Sequence, residues 1–333
     1  MKQGLIRTSR YSPGNMDRNS LESLFVGRDE IMGDVVDRIE SSIENGEKHY
    51  LLLVGPRGSG KTHLVALAYH RIAEYLSTHE KSNHAVIALL NEEEWGVTSY
   101  LDFIVRILRA LTDNAPELNN SISNIYEAFA GRNSDAELLA ENVLTKFVGR
   151  KTLILICENL VDLFAGLDHV GQERWRAFIQ ESGFWTILAT TPALFTSVTL
   201  QKNPFFGFFT IRELKKLRFD EALELLIKKA SHDSQPELVE FLRTPIGRAR
   251  VRAIHHLAGG NHRAYVVLFD FLDKQSLDDL IDPFINMVDD LTPYYQDQMR
   301  QLAPRQRKIV EHLCHATRPL LIKEIATSCL MTH

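Results

Sequence analysis

The sequence predicts an α/β domain built on a five-stranded parallel sheet, followed by an all-helical region. Five short apolar segments alternate with segments of helical periodicity between residues 49 and 211. Strands that are apolar throughout are buried on both faces, which is typical of a parallel sheet covered by helices. After about residue 212 the strand-like segments stop and short helical segments follow.

The segments divide the chain into four predicted regions. Residues 1–24 are polar, contain Ser-Pro-Gly at 12–14 and predict an extended N-terminal arm. Residues 25–211 are the predicted α/β domain, with strands at HYLLLVG (49–55), HAVIALL (84–90), TLILIC (152–157), WTILATT (185–191) and FFTI (208–211). Its predicted helices lie near 27–44, 62–76, 99–112 and 134–149.

The two remaining regions are predicted to be helical. Residues 212–290 contain the segments RFDEALELLIKKA, PELVEFLRT, GRARVRAIHHLAG and NHRAYVVLFDFLDK, each of which predicts a short helix. Gly259-Gly260 is expected to end the third of these helices, and Asn261 to cap the fourth. Residues 291–333 predict helices at about 294–302, 304–316 and 322–328.

Length and composition exclude several classes of protein. At 333 residues and 38.0 kDa the chain is long enough for two or three domains. No apolar run approaches the roughly 18–20 residues of a membrane span, and the N-terminus lacks the apolar core of a secretion signal, so no membrane partner is expected. Three cysteines without metal-ligand spacing, Cys157, Cys314 and Cys329, fit a reducing cytoplasm.

The net charge of −5 gives no sign of a nucleic-acid partner, but its distribution is uneven. Residues 291–333 contain six Lys/Arg against three Asp/Glu. This basic segment favours contacts with phosphate groups, so DNA is one candidate partner. The alternative is that these charges form an ordinary solvated surface.

The segment Gly55-Pro56-Arg57-Gly58-Ser59-Gly60-Lys61-Thr62 fits the phosphate-loop pattern G-x-x-x-x-G-K-[ST]. Glycines let the backbone wrap around phosphates, and the following helix directs its positive end at the same anion. Lys61 is expected to reach the β- and γ-phosphates of ATP, and the Thr62 hydroxyl to bind Mg²⁺. The motif follows a predicted buried strand and opens a predicted helix, which is the context that it requires.

A second strand end is expected to face the phosphates, and residues 153–159 supply it in one of two registers. In the first, Glu158 holds the metal and Asn159 stands where a catalytic carboxylate would be. In the second, Cys157 replaces the metal carboxylate and Glu158 is the base. We favour the first. Since a neutral amide cannot accept the proton of an attacking water, the first register predicts slow hydrolysis.

Five motifs resemble, in their order along the chain, those of AAA+ ATPases of the origin-recognition/initiator type, which are P-loop NTPases of the ASCE class, and those of the related STAND ATPases. The Gly55–Thr62 loop resembles Walker A, and 153–159 resembles Walker B. LFVGRDE (24–30) resembles the segment that packs near adenine, ILATTP (187–192) the sensor 1 strand, and GGNHRAYVVL (259–268) the sensor 2 helix. The resemblance covers about residues 24–275.

The resemblance implies an ATP/ADP site with Mg²⁺, and roles for individual residues. Thr190 or Thr191 is the implied polar residue near the γ-phosphate. Arg263, from the helical lid that follows the α/β domain in this family, is the implied arginine that contacts the phosphates. Val26, Arg28 and His63 join the phosphate loop as implied nucleotide contacts, and Thr62 and Glu158 as implied metal ligands. Surface or strand-end roles for Thr190, Thr191, Arg28 and Arg263 remain the alternatives.

The sequence departs from the family pattern between sensor 1 and the lid, where a neighbouring subunit's arginine finger usually lies. Residues 193–209 contain only Lys202 as a basic residue, and Arg174 and Arg176 are the nearest alternatives. A finger supplied by a neighbour contributes roughly 10³–10⁵ in rate. Its apparent absence favours a ligand-gated switch over a self-activating oligomeric motor.

The C-terminal segment resembles the beginning of a winged helix, a domain that initiator-type ATPases commonly carry after the lid. IKEIA (322–326) resembles the first helix of a helix-turn-helix pair, with a recognition helix expected to start near Cys329. Three functions remain open at this point: a nucleotide switch acting on DNA or a protein partner, an oligomeric DNA-stimulated ATPase, and a scaffold that holds nucleotide without turnover.

Overall fold

In a computed structural model of the protein, which describes residues 13–91, 97–131, 135–269, 299, 302–316 and 318–329, the five predicted strands form one all-parallel sheet. Their order is β2-β3-β4-β1-β5. The strands are β1 (Tyr50–Val54), β2 (Ala85–Leu90), β3 (Thr152–Cys157), β4 (Trp185–Thr191) and β5 (Thr210–Glu213). The predicted fold class is confirmed.

The strand register brings three chain segments together at one edge of the sheet. Val54 at the end of β1 pairs with Thr191 at the end of β4. Cys157 at the end of β3 pairs with Ala189 on the other side of β4. Because the carboxyl ends of parallel strands meet at the same edge, the segments that follow these three strands are neighbours.

Helices cover both faces of the sheet, as the apolar strands predict. The elements before β4 are α1 (Arg18–Ser23), α2 (Asp29–Asn45), α3 (Lys61–Thr78), α4 (Tyr100–Leu111), α5 (Leu118–Ala130), α6 (Ala136–Val148) and α7 (Leu160–Ser182). One buried cluster joins α2 and α3 to the sheet, and a second joins α4 to α7 to the opposite face. Ile154 and Ile156 of β3 belong to the first cluster, whereas Leu155 and Cys157 belong to the second, as the two-residue period of a strand requires.

The segment expected to be an extended arm contains a helix. Asp17 caps α1 by accepting a hydrogen bond from the Ser20 N–H at 3.0 Å, and Leu21 is fully buried. Glu22 receives two hydrogen bonds from Arg71 of α3, at 3.0 and 2.8 Å. The N-terminal segment is therefore helical over Arg18–Ser23, because α3 provides apolar packing for Leu21 and an ion-pair partner for Glu22. Residues 1–12 of the predicted arm lie outside the described residues.

The strand-free region that follows is helical, as predicted. After α8 (Thr196–Thr199), a short turn ahead of β5, come α9 (Phe219–His232), α10 (Pro236–Arg243), α11 (Pro245–Ala258) and α12 (His262–Leu268). The helices α9, α10 and α11 pack on one another around buried Leu226, Leu242 and Val251. We call the helices α9 to α12 the lid. The remainder of the region predicted to end at residue 290 lies outside the described residues.

The chain divides into two compact units, Met1–Val266 and Val267–His333. In the second, α13 (Pro304–His315) and α14 (Ile322–Ser328) match two predicted helices. Arg318 pairs with Glu324 at 2.7 Å, and the buried Cys329 thiol lies 3.8 Å from the Lys308 carbonyl oxygen. The predicted helix at 294–302, apart from residues 299 and 302, and the predicted recognition helix beyond Cys329 lie outside the described residues. None of the described helices is long and apolar enough to cross a membrane.

Candidate nucleotide-binding site

The phosphate loop is a tight turn held to the edge of the sheet. Its first residue, Gly55, donates its backbone N–H to the Thr191 carbonyl at 3.1 Å. The Ser59 N–H then donates to the Pro56 carbonyl at 3.1 Å, and Gly58 has φ of 80°. Arg57, the second residue of this turn, does not have positive φ, and a turn in which only the third residue has positive φ is typical of type II. Gly60, with φ of 92°, ends the loop and is the N-cap of α3.

The loop fits a polyphosphate. Gly60 has no side chain to cap α3, and the first N–H groups of any α-helix have no partner within it. A Cβ at Gly60 would have no atom within 4 Å, so the space in front of the helix is open. The Ser59 hydroxyl is buried and has no hydrogen-bond partner among the described residues. An anion with several oxygens would satisfy these donors.

Lys61 is positioned by the loop itself. Its ammonium donates to the carbonyl oxygens of Gly55 at 2.7 Å and of Pro56 at 3.2 Å. The charge is thereby held over the loop rather than directed into bulk solvent. Thr62 follows it in the first turn of α3 and is half-buried.

The end of β3 distinguishes the two registers weighed from the sequence. Cys157 is buried with the cluster on the face away from α3, and burial together with Glu158 raises the pKa of its thiol to about 12. A side chain packed on that face is directed away from the cluster that contains α3, the helix that follows the phosphate loop. Glu158 donates its N–H to the Leu90 carbonyl at 3.0 Å, and one of its carboxylate oxygens is buried. This geometry favours the register in which Glu158 holds the metal.

Asn159 is the N-cap of α7 and has a left-handed conformation, with φ of 55° and ψ of 57°. Its N–H donates to the Thr190 hydroxyl at 3.0 Å, so β4 positions the residue after Glu158. Its side-chain amide donates to the Asp162 carboxylate, and its Oδ1 atom is buried with no hydrogen-bond partner among the described residues. Asp162 is a neighbour of this position that the sequence did not single out.

Thr190 and Thr191 both lie buried at the end of β4, beside the phosphate loop. Thr190 accepts the Asn159 N–H, and the Thr191 hydroxyl donates to the Ala193 carbonyl at 2.8 Å. A hydroxyl that accepts one hydrogen bond can still donate another, so Thr190 is the better placed of the two for contact with a phosphate oxygen. Its role there stays a prediction.

The lid touches the phosphate loop through the turn between α11 and α12. The Arg263 N–H donates to the Gly58 carbonyl at 3.2 Å, and the Asn261 amide donates to the Arg57 carbonyl at 3.1 Å. A third contact anchors the turn, because the Leu217 N–H donates to the Gly260 carbonyl at 2.9 Å. The predicted sensor 2 residue therefore stands beside the predicted phosphate site. Asn261, expected only as a helix cap, also contacts the loop.

The segment LFVGRDE lies between α3 and the lid. Val26 is buried, and the Arg28 guanidinium donates to the carbonyls of Gly27, at 3.0 Å, and of Lys215. Gly27 has φ of 64°, and a Cβ there would lie 2.9 Å from the Glu221 side chain at the start of α9. Arg28 is thus bound to the strand–lid connection. Contact with adenine stays a prediction for Val26 and Arg28.

Two histidines meet at the boundary of α3 and the lid. His63 is buried, its Nε2 lies 2.8 Å from the Leu21 carbonyl, and its ring centre lies 5.9 Å from that of His262. Because a carbonyl only accepts, the His63 Nε2 carries the proton. Burial lowers the pKa of His63, and burial together with His63 and Arg28 lowers that of His262 to about 3. Both rings are therefore neutral at physiological pH, and His262 is a site neighbour that the sequence analysis did not select.

Comparisons with known proteins agree with this geometry. The family model of the AAA ATPase domain matches residues 24–322. No curated protein sequence matches the chain. Among solved structures, the ORC2 protein of Aeropyrum pernix in its ADPNP–ADP complexes is 12% identical with a TM-score of 0.62, covering 91% of this chain and 78% of that one.

Two further structures are similar at the same level. The ORC1 protein of Aeropyrum pernix in complex with DNA is 15% identical with a TM-score of 0.56, covering 96% of this chain and 80% of that one. The Walker-type ATPase of Pyrococcus abyssi is 15% identical with a TM-score of 0.55, covering 92% and 88%. The chain therefore belongs to the AAA ATPase domain family and has the fold of the origin-recognition-type AAA+ ATPases.

Proposed function

We propose that this protein is an ATP-binding molecular switch that hydrolyses ATP slowly. Its binding to DNA or to a protein partner depends on which nucleotide it holds. The observation that carries the proposal is the direct contact between the lid and the phosphate loop. Asn261 and Arg263, on either side of His262, donate hydrogen bonds to the carbonyls of Arg57 and Gly58. A ligand that changes the shape of this loop acts on the lid through the same bonds.

The residues at the site have distinct tasks under this proposal. The N–H groups of the loop and of the first turn of α3 bind the phosphates, and Lys61 offsets their charge. Arg263, on the lid, adds a positive charge whose position depends on the lid. Thr62 and Glu158 would hold Mg²⁺, which when bound supplies charge neutralisation between phosphate oxygens. The buried Glu158 oxygen supports the metal site, and the buried Ser59 hydroxyl supports the phosphate site.

Slow turnover follows from Asn159. Its side-chain amide can orient an attacking water molecule through a hydrogen bond but cannot take up a proton from it. The nearby Asp162 binds that amide, so the Asn159 side chain is held by α7. An ATP complex that persists is what a switch requires, because the ATP-bound and ADP-bound states must each last long enough to be read by a partner.

A DNA-stimulated ATPase is the second candidate function. It is favoured by Arg305 and Lys308 of α13, which are exposed. Basic side chains on an exposed helix are suited to phosphate contacts. One of the similar structures, the ORC1 protein of Aeropyrum pernix, is described in complex with DNA.

Buried free thiols at Cys157 and Cys329 suit the reducing cytoplasm that we propose as the location of this protein.

The test is titration calorimetry with Mg-ATP and Mg-ADP on the full chain and on Lys61→Ala. We expect a dissociation constant on the order of micromolar or lower for the unaltered chain and at least a roughly tenfold weaker one for Lys61→Ala. Lys146→Ala, which removes an exposed lysine from α6, is the matched control and should bind as the unaltered chain does. Equal affinities for all three proteins would refute the proposed site.

A further inference from the structure

The peptide between Arg57 and Gly58 is the central peptide of the type II turn in the phosphate loop. Type I and type II turns differ mainly in the orientation of this one peptide, which is reversed between them. In a trans peptide the carbonyl and the N–H point in opposite directions. The direction of the Arg57 carbonyl therefore decides the direction of the Gly58 N–H.

The lid holds that carbonyl through the Asn261 side chain. The Asn261 Nδ2 donates to the Arg57 oxygen at 3.1 Å. Because the peptide is trans, the Gly58 N–H points away from the Asn261 amide. The neighbouring Gly58 carbonyl is also bound, by the Arg263 N–H at 3.2 Å. Two consecutive carbonyls of the loop are thus fixed by a single turn of the lid.

Both ends of the Asn261 amide are used, which fixes its orientation. Its Oδ1 accepts the N–H groups of Arg263 at 3.0 Å and Ala264 at 3.3 Å, capping α12. Its Nδ2 is left to face the loop. The fit is close, because a Cβ at Gly58 would lie 2.4 Å from Oδ1 and 2.9 Å from Nδ2. Only a residue with an acceptor and a donor on the same short side chain can make both contacts.

We propose that Asn261 is a positioning residue of the nucleotide site, which orients the Arg57–Gly58 peptide so that the Gly58 N–H faces the phosphates. This inference rests on the proposed function, because it assumes that the loop binds phosphates. It makes phosphate affinity dependent on lid docking. By linkage, bound nucleotide stabilises the docked lid by the same factor.

Substitutions at Asn261 can separate its two roles, which are to cap α12 and to orient the Arg57–Gly58 peptide. Asn261→Ser retains an oxygen that can cap α12 but is too short to donate to Arg57. Asn261→Asp also retains the cap, yet places a carboxylate oxygen against the Arg57 carbonyl. Thr244→Ala is the matched control. Thr244 caps α11 of the same lid by accepting the Gly247 N–H at 3.0 Å, and it has no part in the contact with the loop.

The experiment measures the dissociation constants of ADP and ATP by titration calorimetry, and the thermal midpoint, for the full chain and these three variants. We expect Asn261→Ser to bind both nucleotides about tenfold more weakly, the loss of one hydrogen bond that organises the site. Asn261→Asp should bind them more weakly still. Thr244→Ala should lower the midpoint at least as much as Asn261→Ser but leave both affinities unchanged.

The outcomes are separable. If the unaltered chain binds nucleotide, Lys61→Ala does not, and Asn261→Ser binds normally, this inference is wrong and the proposed function stands. If Thr244→Ala weakens binding as much as Asn261→Ser, Asn261 contributes only to lid stability and the inference is again wrong. If the unaltered chain does not bind nucleotide, the proposed function fails and the inference fails with it. Selective weakening in Asn261→Ser supports it.

Discussion

Asn159 combines a conformational and a chemical restriction at a single residue. Its φ of 55° lies in the left-handed region, which asparagine tolerates better than other side chains with a Cβ. Its N–H is bound by Thr190, so the backbone has little freedom to leave this conformation. The amide suits the backbone at this point, and the same amide removes the proton acceptor that fast hydrolysis needs.

We predict that Asn159→Glu raises ATP turnover at least tenfold, since it restores a carboxylate beside Glu158. General-base catalysis is worth roughly 10²–10⁴-fold, and the left-handed backbone should keep the gain in the lower part of that range. The glutamate should also cost about 1 kcal/mol of stability. Steady-state phosphate release and thermal unfolding measure the two effects.

The control for this prediction is Asn159→Gln, which has the same length and backbone strain but no base. It should lose similar stability and gain no turnover. If the Glu variant binds nucleotide yet is no faster than the Gln variant, Asn159 does not occupy the catalytic position. The register in which Glu158 is the base would then be preferred.

At the scale of elements, the strands were predictable, but the helices α1, α5 and α8 and the full extent of α7 were not. Burial on both faces requires an unbroken apolar run, so β1 to β4 could be placed to within one residue. The edge strand β5 is partly exposed and lies two residues beyond its predicted position. The helix α1 spans only Arg18–Ser23 and buries Leu21 alone, which is too little for a periodic pattern. In α5, Leu118, Ile122 and Ile125 have helical spacing, but the Asn and Ser residues between them are typical of a loop.

The site shows the same division. The phosphate loop could be predicted because its eight residues are contiguous and the four that the pattern specifies each have a chemical reason for their place. The bond from Asn261 to Arg57 could not, since 204 residues separate the two and the bond depends on the orientation of one peptide. Contacts between distant elements follow from packing, which local sequence patterns do not encode.

The contact between the loop turn and the lid turn predicts that two substitutions are not additive. Gly58→Ala should be strongly destabilising, because its φ of 80° costs an alanine about 1–2 kcal/mol and the new Cβ meets the Asn261 amide. Asn261→Ala should cost about 1 kcal/mol through the lost cap. The double variant should lose less than the sum, since Asn261→Ala removes every atom in the clash. Urea unfolding measures each free energy.

Gly60 supplies the matched comparison for this cycle. Gly60→Ala has the same kind of backbone strain, with φ of 92°, but its Cβ would have no atom within 4 Å. Combined with Asn261→Ala it should therefore be additive, as is usual for residues that do not touch. If the effects of Gly58→Ala and Asn261→Ala are also additive, the Asn261 side chain is not in contact with Gly58 in solution.

At the scale of the whole molecule, the candidates for a trans-acting arginine are bound within their own chain. Arg174 pairs with Glu141 at 2.9 Å and with Glu137, and Arg176 lies 4.3 Å above the Phe208 ring. Lys202, which remains in the segment after β4, is exposed. Both arginines therefore have partners within their own chain, and neither extends from the segment after β4 where a finger usually lies.

Turnover per molecule should therefore be independent of protein concentration. A finger supplied by a neighbour accelerates hydrolysis roughly 10³–10⁵-fold, so its use would make specific activity rise steeply as copies associate. We expect a flat profile over a wide range of concentration, measured as phosphate release per chain. Lys202→Ala should not alter it, and Lys146→Ala serves as the control.

Duplex DNA is then added to the same assay. Stimulation by DNA that is already complete at low protein concentration would support a switch that acts as a single copy. Activity that rises with concentration and falls in Lys202→Ala would instead establish the oligomeric ATPase, because only a shared site needs both a second copy and its exposed lysine.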